Sequence, residues 1–232
     1  MRRKQIRTGT TGAKIGARKL PQQLRSRATA DSIREAALQL VRQSGFASLT
    51  AARIATRAGV SAGSFYDYFP NKEAVLLDLY ESTSSLVVKR MRENLPQILD
   101  IPVASAVEQS VTLLLTLYEE HRLILVDLVV EMPELKLADH PLSFENLGHG
   151  SILIYLEHRG KHLEPGELET KAYFLEQIIV GCVRRFIGNP PPHVSRSSFI
   201  SNLTQIITPY MKELQAANRL ELRSRRAPPD ER

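Results

Sequence analysis

Tryptophan is absent, and a single cysteine, Cys182, occurs in 232 residues. A lone thiol excludes a disulfide framework and any cysteine-rich zinc module. Aromatic residues reach only 6%, which argues against a β-sandwich or an aromatic-lined barrel. No apolar run approaches the ~18 to 20 residues of a membrane span; the longest uncharged one, Val111 to Tyr118, is too short. The basic N-terminus has no apolar segment behind it, so a secretory signal is not expected. These absences predict a cytoplasmic protein without a membrane partner. What is present is ordinary for a globular chain, with 43% apolar and 24% charged residues, enough for one large domain or two small ones.

The net charge of +6 is unevenly placed. Residues 1–27 hold nine basic side chains and no acidic one, residues 28–74 are nearly balanced, and residues 75–232 carry a net negative charge. Such asymmetry points to a polyanion partner for the N-terminal end, or to a solubilising tail. Residues 1–27 contain Gly9, Gly12, Gly16 and Pro21 and few apolar residues, so a flexible arm is expected there.

Helical periodicity dominates the rest, and the expected fold class is all-α. Ile33, Ala36, Ala37, Leu40 and Val41 form one amphipathic stripe, with Thr29 or Asp31 as N-cap and Gly45 as terminator. Short helices are predicted over 51–58 and 62–68. A longer one runs from a cap at Asn71 to about Asn94. Ala104, Val107, Val111, Leu114, Leu115 and Tyr118 mark a central, buried helix. Leu123 to Val130 is apolar all round and is read as helix because no partner strands occur. Further helices are expected over 143–158, 167–187 and 198–222, with a loop at 188–192. The domains are therefore read as 28–74 and 75–222, with a tail over 223–232.

The second and third short helices have helix-turn-helix spacing. Thr50 stands at an N-cap position, Ile54 points inward and Ala55 is small where the helices cross. Gly59 occupies the site that needs a left-handed backbone. Val60 plugs the turn, Ser61 caps the next helix and Phe65 returns to the core. Such a pair projects its second helix, whose first residues can enter a DNA major groove. A bare helical hairpin in a protein that never meets DNA satisfies the same spacing.

The stretch Ile54-Ala55-Thr56-Arg57-Ala58-Gly59-Val60-Ser61-Ala62-Gly63-Ser64-Phe65-Tyr66-Asp67-Tyr68-Phe69-Pro70-Asn71-Lys72-Glu73 resembles the DNA-binding signature of TetR-type (tetracycline repressor family) transcriptional regulators. The likeness reaches back through Gly45 and Ala36-Ala37 to about Thr29. Beyond it the chain agrees only in being helical and of suitable length. The resemblance implies an N-terminal three-helix DNA-binding domain and a C-terminal helical bundle for ligand binding and dimerisation. It implies that Thr50 contacts a phosphate, that Ser61, Ala62, Gly63, Ser64 and Tyr66 face the groove, and that Tyr68 and Lys72 hold the backbone. The 62–68 helix carries no Arg, Lys, Asn or Gln, so direct base readout from it is expected to be weak. Arg53 and the basic arm are candidates for added contacts, the alternative for Arg53 and Arg57 being solvated helix surface.

Little else suggests chemistry. His158 and His162, and Glu145 and His149, have i,i+4 spacing, but no third ligand sits at a fixed distance. No metal or cofactor is expected. No nucleophile elbow, phosphate loop or Cys/His pair is present, so an enzyme is not expected. Apolar residues in excess of what one bundle must pack predict a cavity, with Leu113, Leu114, Leu117, Tyr118, His121, Val126, Met132, Phe144, Tyr155 and Tyr173 as candidate ligand contacts. The helices over 167–187 and 198–222 each show one broad apolar face suited to a four-helix interface with a symmetry mate. Ile179, Cys182, Phe186, Ile207 and Met211 are the candidates there. The expected function is a homodimeric repressor on a pseudo-palindromic DNA operator, released by a largely apolar small molecule. The competing reading is a constitutive architectural DNA-binding protein whose helical domain only dimerises.

Overall fold

The computed structural model describes residues 19–137, 140, 143–159 and 165–226, of which 19–25, 144–147, 165 and 213–226 are described as backbone only. Among the described residues there are nine α-helices and no strand, as the periodicity predicts. The chain divides into two compact units, one ending at Val75 and one starting at Leu76.

The first unit holds α1 (Lys19–Ser44), α2 (Ala51–Ala58), α3 (Ala62–Tyr66) and the first residues of α4 (Lys72–Ile98). The predicted stripe of α1 is buried at Ile33, Ala36, Ala37, Leu40 and Val41. α1 starts about ten residues ahead of the expected caps. Residues 19–27 are thus its opening turns, whereas 1–18 of the expected arm lie outside the described residues. Gln, Leu, Arg and Ala are good helix formers, and Pro21 falls in the first turn, where its missing N–H breaks no helix bond. Inside the helix Asp31 pairs with Arg34 at 2.7 Å. Gly45 ends α1 with φ 73°, its N–H bonded to the Val41 carbonyl at 2.8 Å. A short 3-10 turn, Phe46–Ser48, then buries Phe46.

The second unit is built on α5 (Val103–Glu120), which packs against both α8 (Pro165–Gly188) and α9 (Arg196–Arg226); α7 (Phe144–Arg159) packs on α8. The central position predicted for α5 is visible in its buried face, Ala106, Val107, Val111, Leu114, Leu115, Leu117 and Tyr118. The segment after α5 is helical, as expected, but opens with a π-helical turn over Leu123–Asp127 before α6 (Leu128–Glu131). α9 extends to Arg226, four residues into the expected tail; residues 227–232 lie outside the described residues. No described helix is long and apolar enough to cross a membrane.

Candidate nucleic-acid interface and ligand cavity

The local chemistry of the helix-turn-helix is laid out by its caps. The Thr50 hydroxyl accepts from the Arg53 N–H at 3.2 Å and so starts α2. Gly59 takes φ 69°, ψ 29°, a left-handed backbone that a side chain would strain. Its N–H and that of Val60 return to α2 carbonyls. The Ser61 hydroxyl accepts from the Ser64 N–H at 3.0 Å and starts α3. The Asn71 carboxamide accepts from the Ala74 N–H at 2.8 Å and starts α4. Three sharp starts separated by two tight turns leave α3 one short helix held by a single anchor, Phe65, which is fully buried.

The outer face of α3 consists of Ser61, Ala62, Gly63 and Tyr66, all exposed. Tyr66 is 57% exposed, and its ring stands edge-on against Phe65 with centroids 5.4 Å apart. Ser64 is half-buried and accepts a hydrogen bond from the Ser61 hydroxyl at 2.9 Å, so these two hydroxyls satisfy one another. Lys72 opens α4, half-buried and 4.0 Å from Glu73. Its ammonium and the free amides of the helix start offer one anion two favourable terms. Tyr68 is half-buried beside them in the chain.

Arg53 and Arg57 are both exposed on α2 and also hold hydrogen bonds within the unit. The Arg53 guanidinium donates to the Ser48 carbonyl at 2.6 Å and to the Ser44 hydroxyl at 3.1 Å. Arg57 donates to the side chains of Gln39 and Gln43. Both arginines therefore tie α2 to the end of α1 and the turn after it. Their i,i+4 spacing is visible in the sequence, but the partners lie too far along the chain to be read there.

Gly63 offers a test of what the α3 face is for. A Cβ built on it meets nothing nearer than the Ser61 hydroxyl oxygen at 3.8 Å, so the fold itself does not need the glycine. Gly63→Ala is expected to raise stability by up to about 1 kcal/mol through helix propensity, read as a higher midpoint in urea. If the face lies close to a DNA surface, the same change weakens DNA binding several-fold. A substitution that stabilises and leaves DNA affinity untouched would show that α3 does not approach the duplex closely.

The second unit contains a cavity of about 110 Å³ that opens to solvent. Its walls are Met91, Leu95 and Ile98 of α4, Ala106, Val107, Ser110, Val111 and Leu114 of α5, Gly148, Ser151, Ile152 and Tyr155 of α7, Leu175, Glu176, Ile179 and Val180 of α8, and Ile207 and Met211 of α9. Of the predicted ligand contacts, Leu114 and Tyr155 lie on it. Leu117, Tyr118, Val126 and Met132 are buried elsewhere, Leu113 and His121 are half-buried off the cavity, and Tyr173 is exposed. The Phe144 side chain lies outside the described residues. The predicted interface set also divides. Ile179, Ile207 and Met211 turn to the cavity, and Phe186 is buried in a stack on Phe199, 4.3 Å between centroids. Cys182 alone is exposed. The outward apolar residues of α8 and α9 are instead Tyr173, Phe174, Ile178 and Ile206.

One polar chain meets the cavity. Glu176 is buried, and its Oε2 lies 3.0 Å from His149 Nδ1, whose Nε2 lies 2.8 Å from Glu169. Burial lowers the His149 pKa, but the hydrogen bonds its ring donates to the Glu169 and Glu176 carboxylates, with their negative charge, outweigh it, and the net shift is upward. Burial raises Glu176 against the lowering effect of His149. A histidine raised in the folded state adds stability below its unfolded value of about 6.5 and loses it as pH climbs through the folded value. The Glu176 shift acts in the same sense. The thermal midpoint should therefore fall as pH rises from about 6 to about 8, and His149→Gln should flatten most of that slope. A wild-type midpoint that is level or rising over this interval contradicts the arrangement.

Residues 33–79 match the family model of bacterial regulatory proteins, tetR family. A segment of 63 residues, 27% of this chain, is 32% identical to the fatty acid metabolism regulator protein of Bacillus subtilis (strain 168); it spans 32% of that protein's length. Among solved structures, a TetR-family transcriptional regulator from Mesorhizobium loti MAFF303099 aligns with a TM-score of 0.59 at 18% identity, over 83% of this chain and 98% of that one. FadR of Thermus thermophilus, a repressor solved with lauroyl-CoA, aligns at 0.55 and 24% identity, over 76% and 90%. FadR of Bacillus subtilis, solved with stearoyl-CoA, aligns at 0.54 and 17% identity, over 78% and 96%. At such identities the structures share the fold.

Proposed function

Since residues 33–79 match the tetR family model and the whole chain shares the fold of TetR-family structures, we propose that it is a homodimeric TetR-type repressor whose hold on operator DNA is relieved by a largely apolar small molecule in the α4–α5–α7–α8–α9 cavity. The observation that carries this reading is the pairing in one chain of an exposed, side-chain-poor α3 face behind the Gly59 turn with an apolar cavity. The acyl-CoA ligands of the two FadR structures support an aliphatic effector. The exposed apolar side chains Phe174 and Ile178 of α8 and Ile206 of α9 support self-association through these helices. Two α3 helices would then read half-sites about 34–36 Å apart.

Control runs through α4. The helix gives Lys72–Val75 to the first unit and continues unbroken into the second, where Met91, Leu95 and Ile98 line the cavity. A ligand that presses on those three residues acts on the same helix whose first residue is the candidate phosphate contact. A coupling of about 1–3 kcal/mol suffices, a 5- to 150-fold change in DNA affinity, and operator DNA must weaken the ligand by the same factor. Constitutive DNA binding remains the competing reading, and this reciprocity decides between them.

The test of the DNA-binding assignment is the salt dependence of operator affinity, by fluorescence anisotropy on a selected pseudo-palindromic duplex. Lys72→Ala should weaken all sequences alike and lower the slope of log K against log salt by about 0.9 for each phosphate no longer neutralised. Tyr66→Ala should weaken binding and blur sequence preference with little change in slope. An unchanged slope for Lys72→Ala removes that residue from the interface.

A further inference from the structure

The cavity is not uniform. Ser151, Tyr155 and Glu176 line the wall made by α7 and α8 and are exposed by only 8%, 7% and 4%. Apart from Ser110, the facing walls from α4, α5 and α9 are apolar. The Ser151 hydroxyl and the Glu176 Oε1 atom have no hydrogen-bond partner among the described residues. Glu176 is not adrift, because Oε2 is held by His149, itself anchored to Glu169. This arrangement fixes the carboxylate of a cavity-lining residue and leaves its second oxygen without a partner among the described residues. A buried acceptor left unsatisfied costs more than a made hydrogen bond returns, so an apolar ligand alone would leave that cost standing.

On the reading that this cavity holds the effector, we propose that the effector is an aliphatic molecule carrying a hydrogen-bond donor, a hydroxyl, amide N–H or ammonium, which Glu176 Oε1 accepts with Ser151 beside it. The aliphatic body lies against Met91, Leu95, Val111 and Met211. A ligand that buries a carboxylate at this wall sets one anion against another in a water-poor site and is rejected. A ligand with acceptors only leaves Glu176 unpaired and is held weakly. Hydroxyl, amide and ammonium ligands share the donor that Glu176 Oε1 lacks, a hydroxyl or amide also offers an acceptor to the Ser151 and Tyr155 hydroxyls, and the cation adds attraction to the carboxylate.

Calorimetric titration of the full-length protein with 1-octanol, octylamine, methyl octanoate and octanoate separates these cases. Octanol and octylamine should bind at least ten-fold tighter than octanoate, with the methyl ester weaker than octanol. Glu176→Gln should shrink the octylamine-to-octanoate ratio at least five-fold. Ile152→Trp, which fills the cavity from α7, should abolish binding of all probes and so places the binding site in this cavity, while the wild-type ranking of the four probes tests donor selectivity whether or not the Glu176 variant folds. Octanoate binding as tightly as octanol overturns the proposal, as does failure of all four probes to bind. Donor-selective binding that never releases operator DNA would instead sink the ligand-relieved reading while leaving the donor preference of the cavity standing.

Discussion

Ile178→Glu should give monomers and lower operator affinity about a thousand-fold. Ile178 stands 40% exposed on α8, one turn from Phe174, with Ile206 of α9 65% exposed. In a two-fold assembly each copy contributes the same patch to both sides, so one substitution places two carboxylates in the interface. Burying an unpaired carboxylate costs several kcal/mol, more than a rim contact could offset. A monomer reads a single half-site, and its affinity drops from the 10⁻⁸–10⁻¹¹ M of specific binding toward the roughly 10⁻⁴–10⁻⁶ M of non-specific binding. Sedimentation velocity reads the assembly and anisotropy reads the affinity. The control is the adjacent residue: Ile179 lines the cavity, so Ile179→Glu should destabilise the fold rather than dissociate it. If Ile178→Glu stays dimeric at micromolar concentration, the interface lies elsewhere.

Phe65→Ala should unfold the DNA-binding unit. Phe65 is the sole buried residue of α3, its ring wedged between Tyr66 and Phe69, whose centroids lie 5.4 and 6.3 Å away. A five-residue helix has no stability of its own, so α3 exists because this ring is buried. Removing it costs the transfer energy of the ring and a cavity, together about 3–5 kcal/mol. That is a large part of the 5–15 kcal/mol typical of a domain. Urea denaturation followed by circular dichroism should show the loss, and operator binding should disappear with it. Phe65→Leu keeps most of the volume and should recover a substantial share of both. An alanine variant with wild-type stability would mean that the turn, not the ring, holds α3 in place.

The helix-turn-helix was legible because its signals are local. Thr50, Gly59, Ser61 and Asn71 each act on backbone groups within four residues, so spacing alone places them. α1 shows the limit of that logic: Thr29 and Asp31 look like caps, but the helix formers ahead of them carry the helix through. The cavity was largely illegible because successive residues on a helix point about 100° apart. Ile178 and Ile179 are identical in type, yet one faces outward and the other lines the cavity. Periodicity gives the apolar stripe of α8 but not the helices that cover each of its edges. The Glu176–His149–Glu169 chain was hidden for a similar reason, since Glu145, not Glu169 or Glu176, has the helical spacing to His149 that sequence can test.

Cys182 follows Phe174 and Ile178 at successive i+4 steps on α8 and is exposed as a residue, with partial desolvation of its sulfur pushing the thiol pKa up. A protein with a single thiol placed on that stripe carries its own reporter. Labelling with a maleimide should follow the fraction of chains whose stripe is uncovered, so the modification half-life should lengthen as protein concentration rises. The half-life at infinite dilution then calibrates the bare thiol, and the concentration dependence gives the self-association constant with no engineered tag or fluorophore.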